Sequence, residues 1–132
     1  MMDYLDIPFK DHGRDRSGCD CFGLVRLVLM EQYGITLPSL VEGYQDTEER
    51  AVIAGLIDIA KPLLEFTRVN VSGDGPLPGD VVVIRQGGQP CHVGIMVGPN
   101  SMLHTEAGSG PKFEDIRRPH LAPRIEGFYR HD

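Results

Sequence analysis

The residues of this chain best suited to covalent or acid–base chemistry are three cysteines, Cys19, Cys21 and Cys91, and five histidines. Cys21 is set apart by its position. It opens the stretch CFGLVRLVLMEQYG, in which Leu24, Leu27, Val28 and Tyr33 recur at helical spacing and Val25 and Leu29 widen the apolar face. A thiol in the first turn of a helix gains from the partial positive charge and unpaired N–H groups there, which favour the thiolate. The same N–H groups can hold the oxyanion formed on an attacked carbonyl. A base for such a nucleophile should be a histidine remote in sequence but fixed on a rigid element. His92 opens HVGIMVG, and His104 lies twelve residues on in SMLHT. Across an antiparallel hairpin the two can share one face. A neutral His104 can then accept a hydrogen bond from His92 and leave the other nitrogen of His92 for Cys21, the logic of a triad. Each residue alone has a plainer reading. A buried cysteine at a helix start is usually a small core residue, and a strand histidine is usually structural. The case for a cysteine hydrolase rests on their coincidence.

Several elements must position these groups. Asp20 is placed as an N-cap and Gly34 as a C-terminal stop, which predicts a helix of about 13 residues from Cys21. It is apolar nearly all round, as a central buried helix should be. Gly23 in its first turn implies that something packs closely there. Residues 1–18 read as a short helix or turn and then a loop, with HGRDRSG supplying turn residues. ITLPSLVEGY is extended. DTEERAVIAGLIDIAKPL reads as a second helix, capped by Asp46 or Thr47 and followed by Pro62. Beyond Glu65, FTRVNV, DVVVIR, HVGIMVG, SMLHT and IEGFYR read as strands. SGDGPLPGD and RQGGQPC read as loops, and GPN as a hairpin connection. Helices first and an antiparallel sheet second make an α+β fold. No GxGxxG or GxxxxGK[ST] supports a nucleotide site. Met30, Met96 and Met102 are expected to fill the core, and Cys91 to face away from His92 as packing. His120 and His131 are assigned no role.

The 132 residues suit one domain, 1–132, large enough to fold without disulfide or metal staples. A net charge of −6 argues against nucleic acid or an anionic membrane as the main partner. No apolar run approaches the roughly 18 residues of a membrane span. The N-terminal residues lack the pattern of a secretory signal, so the protein is expected to be cytoplasmic as made, with a phage virion tail as another location. An odd cysteine count without an export signal does not suit a disulfide framework. No cofactor or metal is expected. Cys19, Cys21, Cys91 and His92 would suit zinc by ligand type, but a tight Cys-x-Cys is not the usual knuckle spacing.

Linked motifs carry a family resemblance. GCDCFGLVRLV resembles the DCSGL motif of the NlpC family of papain-like bacterial and phage cell-wall peptidases. PGDVVVIRQGGQPCHVGIMVG resembles that family's GD-strand followed by HVGIYLG, and SMLHT resembles its FIHA segment. Order and spacing match from about Ile7 to Thr105, most like phage tail or prophage-encoded members. The resemblance implies a papain-like α+β fold and a catalytic triad of Cys21, His92 and His104. It implies hydrolysis of an amide bond in peptidoglycan stem peptides, typically the one following D-γ-glutamate, through a thioester. It gives Pro78, Gly79 and Asp80 a structural turn before the central strand. Two residues depart from the pattern. Cell-wall members usually have tyrosine where Phe9 stands and serine where Phe22 stands, and there both hydroxyls help the aspartate before the cysteine hold the substrate's amino end. Of those three polar groups only Asp20 remains, and replacing two hydroxyls with phenyl rings removes polar partners a charged amine would need. His12 and Arg14 are candidate substitute contacts. The expected substrate-binding set is therefore Asp20, Phe9, Phe22, His12 and Arg14.

Four functions follow for testing. The first is a peptidoglycan peptidase or amidase. The second is a catalytically weak or inactive tail-assembly module of the same fold, with phage tail proteins as partners. The third is an acyltransferase or thioesterase, disfavoured because lipid-handling relatives usually place the histidine before the cysteine. The fourth is the zinc site.

Overall fold

In the computed structural model of the chain, residues 2–39, 53–55, 57, 65–69 and 75–131 are described. A 3₁₀ turn at Met2–Asp6 leads into a two-stranded hairpin, β1 (Arg14–Asp15) and β2 (Gly18–Cys19). The helix α1 (Cys21–Tyr33) follows, and then β3 (Phe66–Arg68), β4 (Val81–Gln86), β5 (Gln89–Met96), β6 (Ser101–Glu106), β7 (Gly110–Asp115) and β8 (Ile125–His131). The last six form one sheet in the order β3-β8-β4-β5-β6-β7, with antiparallel pairing throughout. Helix first and antiparallel sheet second is the α+β arrangement expected.

α1 begins and ends where its caps place it. The Asp20 carboxylate accepts from the Gly23 amide at 2.9 Å, and Gly34 takes the left-handed conformation, φ 68°, that closes the C-terminus. Gly34 and Ile35 donate back to the Met30 and Leu29 carbonyls. The absence of a side chain at Gly23 is required: a Cβ there would fall on the Gly13 carbonyl oxygen. The β1–β2 hairpin is thereby pressed against the first turn of the helix.

The sheet carries apolar side chains on both faces. Leu24, Val25, Val28 and Leu29 of α1 pack on Val81, Val83, Val93, Ile95 and Leu103. Val82, Ile84, Met96, Met102, Ile116, Leu121 and Phe128 form a second cluster. Strand alternation sends successive residues of β4 and β5 to one cluster and then the other. Met96 and Met102 are fully buried, as expected, but Met30 is exposed, and so is Tyr33. The buried face of α1 thus ends before its last turn, where the C-cap reaches solvent. Asp80 is buried ahead of β4 and accepts from the Leu77 amide and from both Nε and Nη2 of Arg130. This ties the Pro78–Asp80 turn to β8. The helix predicted over 46–62 lies almost wholly outside the described residues.

Candidate active site

All three cysteines are buried thiols and none is in a disulfide. Cys21 is the first residue of α1, next to the cap at Asp20. The backbone amides of Val93 and Phe22 favour its thiolate. Burial, reinforced by the Asp20 charge, nevertheless pushes the thiol up to about 12, against which the two amides pull only partway. Cys19 is likewise pushed up to about 11 by burial, with help from Asp20 and Asp15. Cys91 packs with Ile53 and Ala54 and serves as packing.

His92 and His104 are both buried and are joined directly, His92 Nε2 to His104 Nδ1, at 2.8 Å. The strand pairing explains the contact. Ile95 pairs with Leu103 and Met96 with Met102, so one step further Gly94 faces His104. A Cβ on Gly94 would stand 3.2 Å from that of His104 and 3.1 Å from the Met102 sulfur. Glycine there leaves room for the second imidazole to lean toward His92. Burial drives His92 down to about 3, helped by His104, Arg124 and Lys112. His104 is also lowered by burial, opposed by its bond to Glu114. Both rings are therefore neutral near pH 7.

Val93 and Ile95 lie beneath α1 in the cluster that contains Cys21. His92 and Gly94 alternate to the side of His104 and Met102. Among the described residues, no hydrogen bond joins the Cys21 sulfur to His92. Burial thus favours the neutral thiol of Cys21 and the neutral imidazole of His92 over the thiolate–imidazolium pair of a primed nucleophile.

The five residues expected to contact substrate lie in the first turn of α1 and the segment before it. Arg14 Nη1 meets Asp20 Oδ1 at 2.7 Å, and its guanidinium stands 5.3 Å from the centre of the Phe22 ring. The other Asp20 oxygen accepts from the His12 amide at 3.1 Å. Phe9 bridges to Cys19. Asp20 is wholly buried, and its oxygens already hold the helix cap, the His12 backbone and Arg14.

Glu114 was not among the residues singled out in the sequence. It lies on β7 opposite Met102, and its Oε1 is 2.9 Å from His104 Nε2 while Oε2 is 3.0 Å from His120 Nε2. Burial would raise this carboxyl, but the bonds to His104 and His120 outweigh it and hold it near 2. The trio His92, His104 and Glu106 brings ligand-type atoms within 4.8 Å of one another. The 2.8 Å between the two imidazole nitrogens is the length of a direct hydrogen bond, and a metal would have to part them. The zinc set weighed from the sequence, Cys19, Cys21, Cys91 and His92, forms no such group among the described residues.

Comparison with known proteins settles the family. Residues 6–130 match the NlpC/P60 family. The chain belongs to it. Among curated NlpC/P60 relatives, the "Murein DD-endopeptidase MepS/Murein LD-carboxypeptidase" of Escherichia coli K12 is 25% identical over 122 residues, covering 92% of this chain and 54% of that protein. The "Probable endopeptidase NlpC" of the same strain is 30% identical over 112 residues, 83% of this chain and 60% of that one. The chain therefore spans a little over half the length of these relatives. Of solved structures, the NlpC/p60 domain of the peptidoglycan hydrolase SagA superimposes with a TM-score of 0.59 at 20% identity, covering 99% of this chain and 92% of that one. NlpC1 from Trichomonas vaginalis gives 0.67 at 17% identity, covering 98% and 40%. The likeness to these structures is one of NlpC/P60 fold.

Proposed function

We propose that this NlpC/P60 domain is a cysteine-type peptidase or amidase that hydrolyses an amide bond in peptidoglycan stem peptides. The observation that carries this is the buried imidazole pair, His92 Nε2 to His104 Nδ1 at 2.8 Å, on the sheet against which the helix opening with Cys21 packs. The curated relatives are named as murein or probable endopeptidases, which supports the substrate class. Cys21 is the nucleophile, His92 the general base and acid, and His104 the group that holds the tautomer of His92.

The reaction proceeds by addition and elimination. On substrate binding the His92 imidazole closes on the sulfur and takes the thiol proton as sulfur attacks the amide carbon. The N–H groups at the start of α1 stabilise the oxyanion. His92 returns the proton to the leaving amine, and a thioester to Cys21 remains. Water, deprotonated by His92, then releases the carboxylic acid and restores the thiol.

A second reading is a catalytically weak module for assembly of a phage or prophage tail. Its support is the locked Arg14–Asp20–Phe22 group and the sealed, protonated thiol. One experiment separates the two. Purified protein is incubated with peptidoglycan fragments, and new amino groups and cleaved peptides are followed by mass spectrometry. The enzymatic reading expects cleavage that Cys21→Ala abolishes. Intact fragments after prolonged incubation, with Cys21 shown to be alkylatable, would refute it.

A further inference from the structure

We propose that Glu114 is a positioning residue that fixes the direction of a hydrogen-bond relay running from its carboxylate through His104 to His92. The inference rests on the reading of His92 as the base. The argument is one of donors and acceptors. A neutral imidazole carries one proton on its two ring nitrogens. His104 Nε2 stands 2.9 Å from Glu114 Oε1, and an ionised carboxylate only accepts. The His104 proton therefore sits on Nε2, and Nδ1 is a bare lone pair. That lone pair is 2.8 Å from His92 Nε2, which must then be the N–H of its ring. His92 Nδ1 is left unprotonated, the state a general base needs. With a donor in place of the carboxylate the whole chain would invert, and His92 would present an N–H where a lone pair is required.

Neighbouring groups agree with this direction. Glu106 Oε1 is 3.8 Å from His104 Nδ1, too far to compete with His92 for that nitrogen. Lys112 Nζ approaches Glu114 Oε1 at 3.5 Å and His120 Nε2 approaches Oε2 at 3.0 Å, and both favour the ionised carboxylate. Glu114 also lines a cavity of about 310 Å³ together with Lys112, Phe113, Asp115, Arg118 and His120. If the carboxylate were deleted, a small anion entering this cavity could take its place, drawn by Lys112 and Arg118.

Two measurements test the relay, and the first needs no turnover. Nitrogen-15 NMR of the histidine rings in the folded wild-type protein should show both His92 and His104 as Nε2–H tautomers. Glu114→Ala should shift or mix them, and Glu114→Gln, which keeps an acceptor, should restore them. A Nδ1–H tautomer at either ring in the wild type, or tautomers unmoved in Glu114→Ala, overturns the proposal. The second is activity on peptidoglycan fragments. Glu114→Ala should lose about tenfold or more in kcat with KM unchanged, as for groups that orient a catalytic imidazole. Formate at high concentration should recover part of that loss in Glu114→Ala and do nothing for the wild type. A loss that formate does not relieve and that Glu114→Gln shares would point to a merely structural role and overturn the relay. Should the protein cut no fragment at all while its tautomers behave as stated, the hydrolase reading fails and the relay stands.

Discussion

Acid should unfold this protein through His92, and the size of the effect follows from its burial. An imidazole that titrates at 6.5 in the unfolded chain and at about 3 in the folded one holds no proton in the folded protein across the range between. Its contribution to stability is whole above 6.5 and drains away as pH falls toward 3, because the unfolded chain binds a proton that the folded chain refuses. One such proton is worth about 1.4 kcal/mol per pH unit, so by pH 4.5 His92 alone should have cost about 2.7 kcal/mol. His104, also lowered, adds loss in the same direction. Near pH 5 the wild type should therefore lose about 1.4 kcal/mol per unit through His92 alone, a loss that His92→Gln should not show. Urea titrations at half-unit steps from pH 7 to 4.5 would measure both slopes. Carboxylate protonation is largely common to the two proteins and drops out of the comparison. Equal slopes would refute the reasoning, since they would mean that the folded protein already holds the His92 proton, as it would in an imidazolium paired with a Cys21 thiolate.

Three further outcomes follow from the same geometry. With Cys21 held up to about 12 by burial, its alkylation by iodoacetamide should quicken about tenfold per pH unit from 7 to 9, as peptide mapping by mass spectrometry would show; a rate already level at pH 7 would contradict this. Gly94→Ala should cost about 1–3 kcal/mol and weaken the His92–His104 bond, because the new methyl meets the Met102 sulfur and the His104 Cβ; urea denaturation and the histidine ring signals would report it. Asp80→Ala removes the acceptor of the Leu77 amide and of two Arg130 donors, so urea denaturation should find a loss of about 2–4 kcal/mol; a change within experimental error would show that the turn is held by other contacts.

The sequence made α1 legible to the residue because its signals are local: an Asp cap, an apolar period and a glycine stop. Most strands of the sheet were legible for the same reason, being β-branched runs between Gly and Pro clusters. β7 was not. GPKFED is polar and every residue in it is half-buried, so it lacks the alternation that marks a strand, and it shows itself only through pairing with β6. Glu114 was missed along with it. Its one sequence signal is its place two residues beyond Lys112, the partner of His104, and that means nothing until the register is known. The hairpin before α1 was read as loop, since strands of two residues leave no periodicity to find. The His92–His104 contact was visible as a spacing of twelve across a short turn. What spacing could not give was the face on which each ring leaves its strand relative to the helix.

The contact between the Gly13 peptide and the first turn of α1 has a consequence for how such a domain can be retooled. With no side chain on either partner, the segment bearing His12 and Arg14 has no cushion against the helix that opens with Cys21. Pulling that segment outward would drag the thiol with it. Lengthening that segment, or adding a methyl at either glycine, would therefore displace the first turn of α1 and Cys21 with it.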